Sequence, residues 1–299
     1  MGNRLQIDQP AGEWEYVDTH CHVPWTGGRS RTPSPEKQLE AFKQSHGRFF
    51  ITSAIDLESS KILHEFAMQH DSVHFSCGWA PQTVTYTPVH EYEQDLQEWK
   101  SFVESRVDDI VAFGELGLDF HHAKTLQERE RQVNELESIL SFLLEIDGKK
   151  PVALHVRNAS PRDKDTANPS HPYNEQDGAT NEILKIMDSM GVNLNKVLFH
   201  CFSGPKTMND YLVSRGFLFS VPSSAFSIFR WYNVSKNLPL DRLVTETDSP
   251  FQHPWLRKPV NTPSNAKYSI AAIANSHDTS QEEVARQTVE NAIKFFNVR

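Results

Sequence analysis

Short apolar runs alternate along this chain with longer stretches whose apolar residues recur at helical spacing. Eight runs read as strands: YVDTH at 16–20, FFITSAI at 49–55, VHFSCGW at 73–79, IVAFGEL at 110–116, PVALHV at 151–156, KVLFHCF at 196–202, FLFSVPS at 217–223 and RLVTETD at 242–248. Most are rich in β-branched or aromatic residues and lack strict polar alternation, as strands covered on both faces do. Lys124 to Ile146 reads as a helix carrying Leu126, Val133, Leu136, Leu140, Leu143 and Leu144. Thr180 to Met190 repeats the theme with Ile183, Leu184, Ile186 and Met187, and Asp278 to Phe296 does so with Val284, Val289, Ile293 and Phe296. Strand and helix alternating eight times predict a parallel sheet with right-handed crossovers. Eight units in 299 residues predict closure into one α/β domain, a (β/α)₈ TIM barrel spanning residues 1–299.

Two segments interrupt the pattern. PWTGGRSRTPSP at 24–35 follows the first strand, and a polar insertion at 158–180 follows the fifth. Both are expected at the C-terminal mouth of the barrel, as lids or substrate walls or as mobile surface loops.

Composition narrows the class. With 38% hydrophobic residues and a formal charge of −9, the chain is globular and lacks the basic excess of a protein that coats long DNA. No apolar run is long enough to cross a bilayer, and MGNRLQIDQP lacks the apolar core of a signal peptide. Three widely spaced cysteines imply no disulfide framework. The expectation is a cytoplasmic protein with no membrane partner.

The chemistry-bearing residues share one edge of this frame. His20 and His22 end the first strand; residues two apart face the same side, so both imidazoles can reach one ion, while Cys21 points away. Glu115 closes the fourth strand among small and apolar residues, where a carboxylate is costly unless paired, protonated or metal-bound. His155 and His200 end the fifth and sixth strands, and Asp248 ends the eighth. Singly, each histidine is more often a hydrogen-bonded core residue than a ligand, and Glu115 more often a loop-capping acid. Together they form one set of imidazoles and carboxylates suited to Zn²⁺, Mn²⁺ or Mg²⁺.

These residues lie in DTHCHV at 18–23, GELGLDF at 114–120, LHVRNA at 154–159, FHCFSG at 199–204 and TETDSP at 245–250. With TSQEEVARQTVENAIKFF at 279–296, the series resembles, in order and over nearly the whole chain, the TatD family of metal-dependent deoxyribonucleases among the amidohydrolase-like barrels. The resemblance implies two divalent ions, Mg²⁺, Mn²⁺ or Zn²⁺. His20, His22, Glu115 and Asp248 would surround one, and Glu115 would bridge to a second held by His155 and His200. It implies hydrolysis of DNA phosphodiesters, at ends or in single strands, by a metal-activated water with Asp248 as proton acceptor. Glu246 would be an auxiliary metal or water contact, or an anchor of the barrel interior. Arg157 fits a bidentate phosphate contact or a structural ion pair, and Lys206 a weaker phosphate contact or a solvated charge. Trp25, Trp79, Phe202 and Phe251 fit either base stacking or ordinary packing.

Three positions depart from the family pattern. Trp79 stands where a histidine usually lies after the third strand, Asn158 where an acid often follows the strand 5 arginine, and the longer insertion brings His171 to the mouth. They leave room for an ester, amide or aminoacyl substrate beside the DNA reading; the remaining alternative is a non-catalytic partner subunit, against which the full ligand set argues.

Overall fold

The computed structural model describes residues 5–28, 32–159, 178–204, 206–255 and 260–298. All eight expected strands form: β1 Tyr16–Cys21, β2 Gly47–Ser53, β3 Val73–Cys77, β4 Ile110–Asp119, β5 Val152–Arg157, β6 Val197–His200, β7 Leu218–Pro222 and β8 Leu243–Glu246. Each pairs in parallel with the next, with helices in the crossovers. This is the TIM-type barrel that the alternation of patterns predicts.

The seam between β8 and β1 is held differently. An isolated bridge joins Cys21 to Ser249, and side chains supply the other links. Thr19 Oγ1 donates to the Thr245 carbonyl (3.0 Å), and Thr245 Oγ1 donates to the Val17 carbonyl (2.7 Å). The Asp18 carboxylate accepts from the Thr247 amide (2.9 Å) and hydroxyl (2.5 Å). Burial pushes Asp18 well above the usual carboxylate range despite these bonds. Two of the expected site residues face each other across this seam, because the Asp248 amide donates to the His20 carbonyl at 2.8 Å.

β4 runs further than its sequence suggests. It was expected to end near Glu115, yet it continues to Asp119 after a register shift between Phe113 and Leu116 against β5. Gly117 permits this: its φ is +138°, and a Cβ there would lie 2.0 Å from the His155 carbonyl oxygen. The helix that follows, Leu126–Asp147, opens on a Thr125–Glu128 capping box and buries Leu136, Ile139, Leu140 and Leu143 at helical spacing. Its buried Gln132 accepts from the Asp119 amide (2.8 Å), fixing the end of β4. The helices Ala179–Ser189 and Gln281–Phe296 also form where expected.

Val17, Ile51, Ala112, Ala153, Leu198 and Val244, from six different strands, share one apolar cluster with Phe295 and Phe296 of the last helix. Non-neighbouring strands meet in this way only inside a barrel, so the lumen is a packed core. A larger cluster fills the layer between strands and helices. Most of the 158–180 insertion, His171 included, and residues 29–31 of the first loop lie outside the described residues. Among the described residues no helix is long and apolar enough to cross a membrane.

Candidate metal centre

β1 carries His20 and His22 into a buried cluster. His22 Nδ1 lies 2.8 Å from the Ser53 carbonyl, so that nitrogen carries the proton and Nε2 keeps a lone pair for the site. His20 Nδ1 is 3.3 Å from Ser53 Oγ, and its Nε2 is buried without any hydrogen-bond partner. Cys21 between them is buried with its thiol 3.5 Å from the Ile51 carbonyl, pointing away from the imidazoles as strand alternation predicts.

β4 brings Glu115 against these rings. The approach needs Gly78, where a Cβ would come within 2.1 Å of the Glu115 amide nitrogen. Glu115 Oε2 lies 3.4 Å from His20 Nε2 and 3.6 Å from His22 Nε2, while Oε1 lies 2.7 Å from His155 Nδ1. The carboxylate thus offers one oxygen to each half of the cluster. Asp248 follows β8 in the left-handed region at φ 54°, which Asp tolerates better than most residues. That turn sets its Oδ1 3.4 Å from His22 Nε2 and 3.9 Å from His20 Nε2. His200 stacks on His20 with ring centroids 3.7 Å apart.

The donors fit a metal site. His20, His22 and Glu115; His20, His200 and Asp248; and Glu115, His155 and His200 each bring ligand atoms within 4.8 Å of one another. The 3.4–3.9 Å spacings around Glu115 Oε2 and Asp248 Oδ1 match donors that share one ion at about 2.1 Å each. An unpaired, buried His20 Nε2 is costly unless a cation meets it.

Residues 17–297 match the family described as TatD related DNase. The chain belongs to that family. It is 25% identical to the uncharacterized metal-dependent hydrolase YabD of Bacillus subtilis, over 94% of this chain and 98% of YabD. Its fold is similar to that of YJJV, a TatD homolog from Escherichia coli: TM-score 0.76, 21% identity, covering 95% and 98% of the two chains. It is similar as well to a TatD-family hydrolase of Entamoeba histolytica: TM-score 0.75, 17% identity, covering 95% and 99%. This TatD protein is a metal-dependent hydrolase.

The electrostatics of the TatD site follow its close pairs: against its burial, Asp248 and Glu115 raise His22. Burial opposes charge on Glu115, but the hydrogen bond from His155 and the close His20 and His200 imidazoles outweigh it and hold the carboxyl well below its usual range. Asp248 is likewise lowered against its burial, by His22 and then His200. Burial also disfavours the His155 imidazolium, yet Asp119 and Glu115 push it up to about 10. His200, buried but facing Glu246, rises to about 9. His20 goes the other way, lowered by burial and by its neighbour His200.

Glu246 lies buried behind His200 and holds it with one carboxylate oxygen. Its Oε2 accepts from Ser220 Oγ (2.7 Å) and lies 2.8 Å from His200 Nδ1, which leaves His200 Nε2 for the site. Trp79 and Phe202 are packing residues: both are buried, and Trp79 meets Tyr92 and Trp99 at 5.6 Å. Trp25 and the exposed Phe251 instead form an edge-to-face pair, 5.1 Å apart, beside His22. Lys206 is exposed at the start of its helix.

Three contributors escaped sequence reasoning. Asp119 lies 3.0 Å from His155 Nε2 and 2.7 Å from His122 Nδ1. Gln82, three residues past Trp79, donates to the same Asp119 oxygen at 2.9 Å. Arg230 joins Arg157, His200, Asp248 and Phe251 around a cavity of about 350 Å³ at the mouth. Asp119 carried a readable signal, a second acid within the apolar GELGLDF run, where burial again demands partners.

Proposed function

We propose that this TatD protein hydrolyses phosphodiester bonds of DNA, at ends or in single strands, with two divalent ions drawn from Mg²⁺, Mn²⁺ and Zn²⁺. The observation that carries the reading is Glu115, whose two oxygens face two separate groups of imidazoles within one buried cluster. His20, His22, Glu115 and Asp248 would hold one ion; Glu115, His155 and His200 the other. When bound, such ions activate water at neutral pH and offset charge developing on phosphate oxygens.

The chain's own groups supply the rest. Asp248 belongs to the ligand cluster and also lines the cavity, so it is the carboxylate best placed to take the proton from the attacking water. Its lowered pKa keeps it ionised for that task. Arg157, exposed at the end of β5 and lining the same cavity, binds a phosphate of the substrate strand by a bidentate contact. Phe251 and Trp25 offer faces on which a terminal base can stack. The net charge of −9 favours this local recognition over the wrapping of long duplexes.

The test is cleavage of end-labelled single-stranded and duplex DNA by metal-stripped protein, with each ion added back, beside Glu115→Ala. Metal-restored cleavage that Glu115→Ala lacks is expected. A folded, metal-loaded protein that leaves DNA intact but turns over an ester or amide would overturn the nuclease reading.

A further inference from the structure

The cavity wall formed by β5 and the Phe229–Lys236 helix carries two guanidinium groups, Arg157 and Arg230. Among the described residues no carboxylate pairs with either. Arg230 donates from Nε (3.3 Å) and Nη2 (2.9 Å) to the Ser203 carbonyl, and a guanidinium fork has more donors than one carbonyl can use. Burial, and then the neighbouring Arg157 charge, hold the Arg230 guanidinium below its ordinary value. The Arg157 charge also lowers His121 nearby. Two cations that line one cavity, with no ion-pair partner among the described residues, suit an anionic ligand.

The position of that wall says which anion. His200 and Asp248, from the ligand cluster, line the same cavity, so a phosphate held at the cluster leaves the arginine wall to a neighbouring group. A space of about 350 Å³ is of the order of one nucleotide. We propose that Arg157 and Arg230 form a subsite for a second, non-scissile phosphate, one nucleotide away from the bond being cut. The inference rests on the phosphodiesterase reading and adds a selectivity to it. Substrates with two adjacent phosphates are preferred over those with one, whether the second is a terminal phosphate or the next backbone linkage. Arg230 would be the selective member, because its fork is already steadied by the Ser203 carbonyl.

The experiment compares kcat/KM on a thymidine dinucleotide with a single internal phosphate, the same dinucleotide with a 5′- or a 3′-terminal phosphate, and the unphosphorylated trinucleotide. The metal-loaded full chain is used as wild type, Arg157→Gln, Arg230→Gln and Arg230→Lys. In the wild type a second phosphate should raise kcat/KM by about tenfold or more, the range expected of charge-assisted hydrogen bonds. The dinucleotide arms report a terminal phosphate and the trinucleotide arm a backbone one. Arg230→Gln should bring the ratio close to one, and Arg230→Lys should restore part of it.

No preference in the wild type would overturn the subsite. So would a preference that survives Arg230→Gln while all rates fall together, since that is the mark of a residue that merely holds the Ser203 turn. Binding of thymidine monophosphate and thymidine 3′,5′-bisphosphate, measured by calorimetry without turnover, separates this proposal from the nuclease reading. About tenfold tighter bisphosphate binding, lost in Arg230→Gln, would support the subsite even if no DNA were cut. DNA cleavage without any bisphosphate preference would leave the nuclease standing and remove the subsite.

Discussion

Around Glu115 Oε2, His20 and His22 rest their Nδ1 atoms on Ser53 and turn Nε2 toward the cluster, and His20 Nε2 makes no hydrogen bond. Around Glu115 Oε1 the imidazoles are already engaged. His155 touches Glu115 with one nitrogen and Asp119 with the other, and His200 leans on Glu246. Against their burial, the neighbouring carboxylates raise His155 to about 10 and His200 to about 9, and raise His22 of the first half as well, whereas burial and His200 lower His20. An ion entering the first half meets at least one imidazole, His20, that burial keeps neutral. In the second it must displace a proton and draw His155 away from a carboxylate. The first ion should therefore bind more tightly, and the second should weaken more as pH falls.

Removing what the halves share should have the largest effect. Glu115→Ala is expected to lower kcat on the order of 10⁴-fold, as loss of a member of a catalytic unit does, while circular dichroism still reports a folded barrel. Substantial activity in this variant would mean that the halves do not work together. Asp119→Asn, behind His155, and Glu246→Gln, behind His200, act first on the second half, and each should weaken that metal-binding step or activity by about 10–100-fold. Equal weakening of both steps would erase the distinction between the halves.

A smaller change should follow from pH in the metal-stripped protein. The folded values of His155 and His200, about 10 and 9, lie above the ordinary 6.5, so the folded state holds more protons between them. The stability they contribute is complete below about 6.5 and is lost as pH rises through 9 and 10. Thermal melts should show Tm falling over that window, and saturating metal should flatten the slope; an apo protein equally stable at both ends would contradict the proton assignment. The smallest effect concerns the wall beside the first half. Phe251→Ala should cost about 1–3 kcal/mol of single-strand binding if a base stacks there, visible as a higher KM for single-stranded substrate and little change on a small phosphodiester.

The frame of this contrast was legible in the sequence because buried parallel strands leave uninterrupted apolar runs, and a histidine or carboxylate ending such a run stands out. His20, His22, Glu115, His155, His200 and Asp248 were all found in that way, and the structure brings them into one cluster. What supports them was harder to read. The extension of β4 to Asp119 depends on a register shift and on Gly117, features of pairing with β5 that a single run does not display. Arg230 reaches the cavity from a helix after β7, where an arginine looks like any solvated charge until the barrel closes. Trp79 drew notice as a departure at the mouth but lies in the core, and Gln82 occupies the polar position beside the site.

The most direct test of the account is a Mn²⁺ titration of metal-stripped wild type and His155→Ala, read by native mass spectrometry at two pH values. Two ions per chain are predicted in the wild type, bound in separable steps, with only the weaker, more pH-dependent step lost in His155→Ala. A single ion in the wild type, or two steps that both survive the substitution, would contradict a centre built in two halves around Glu115.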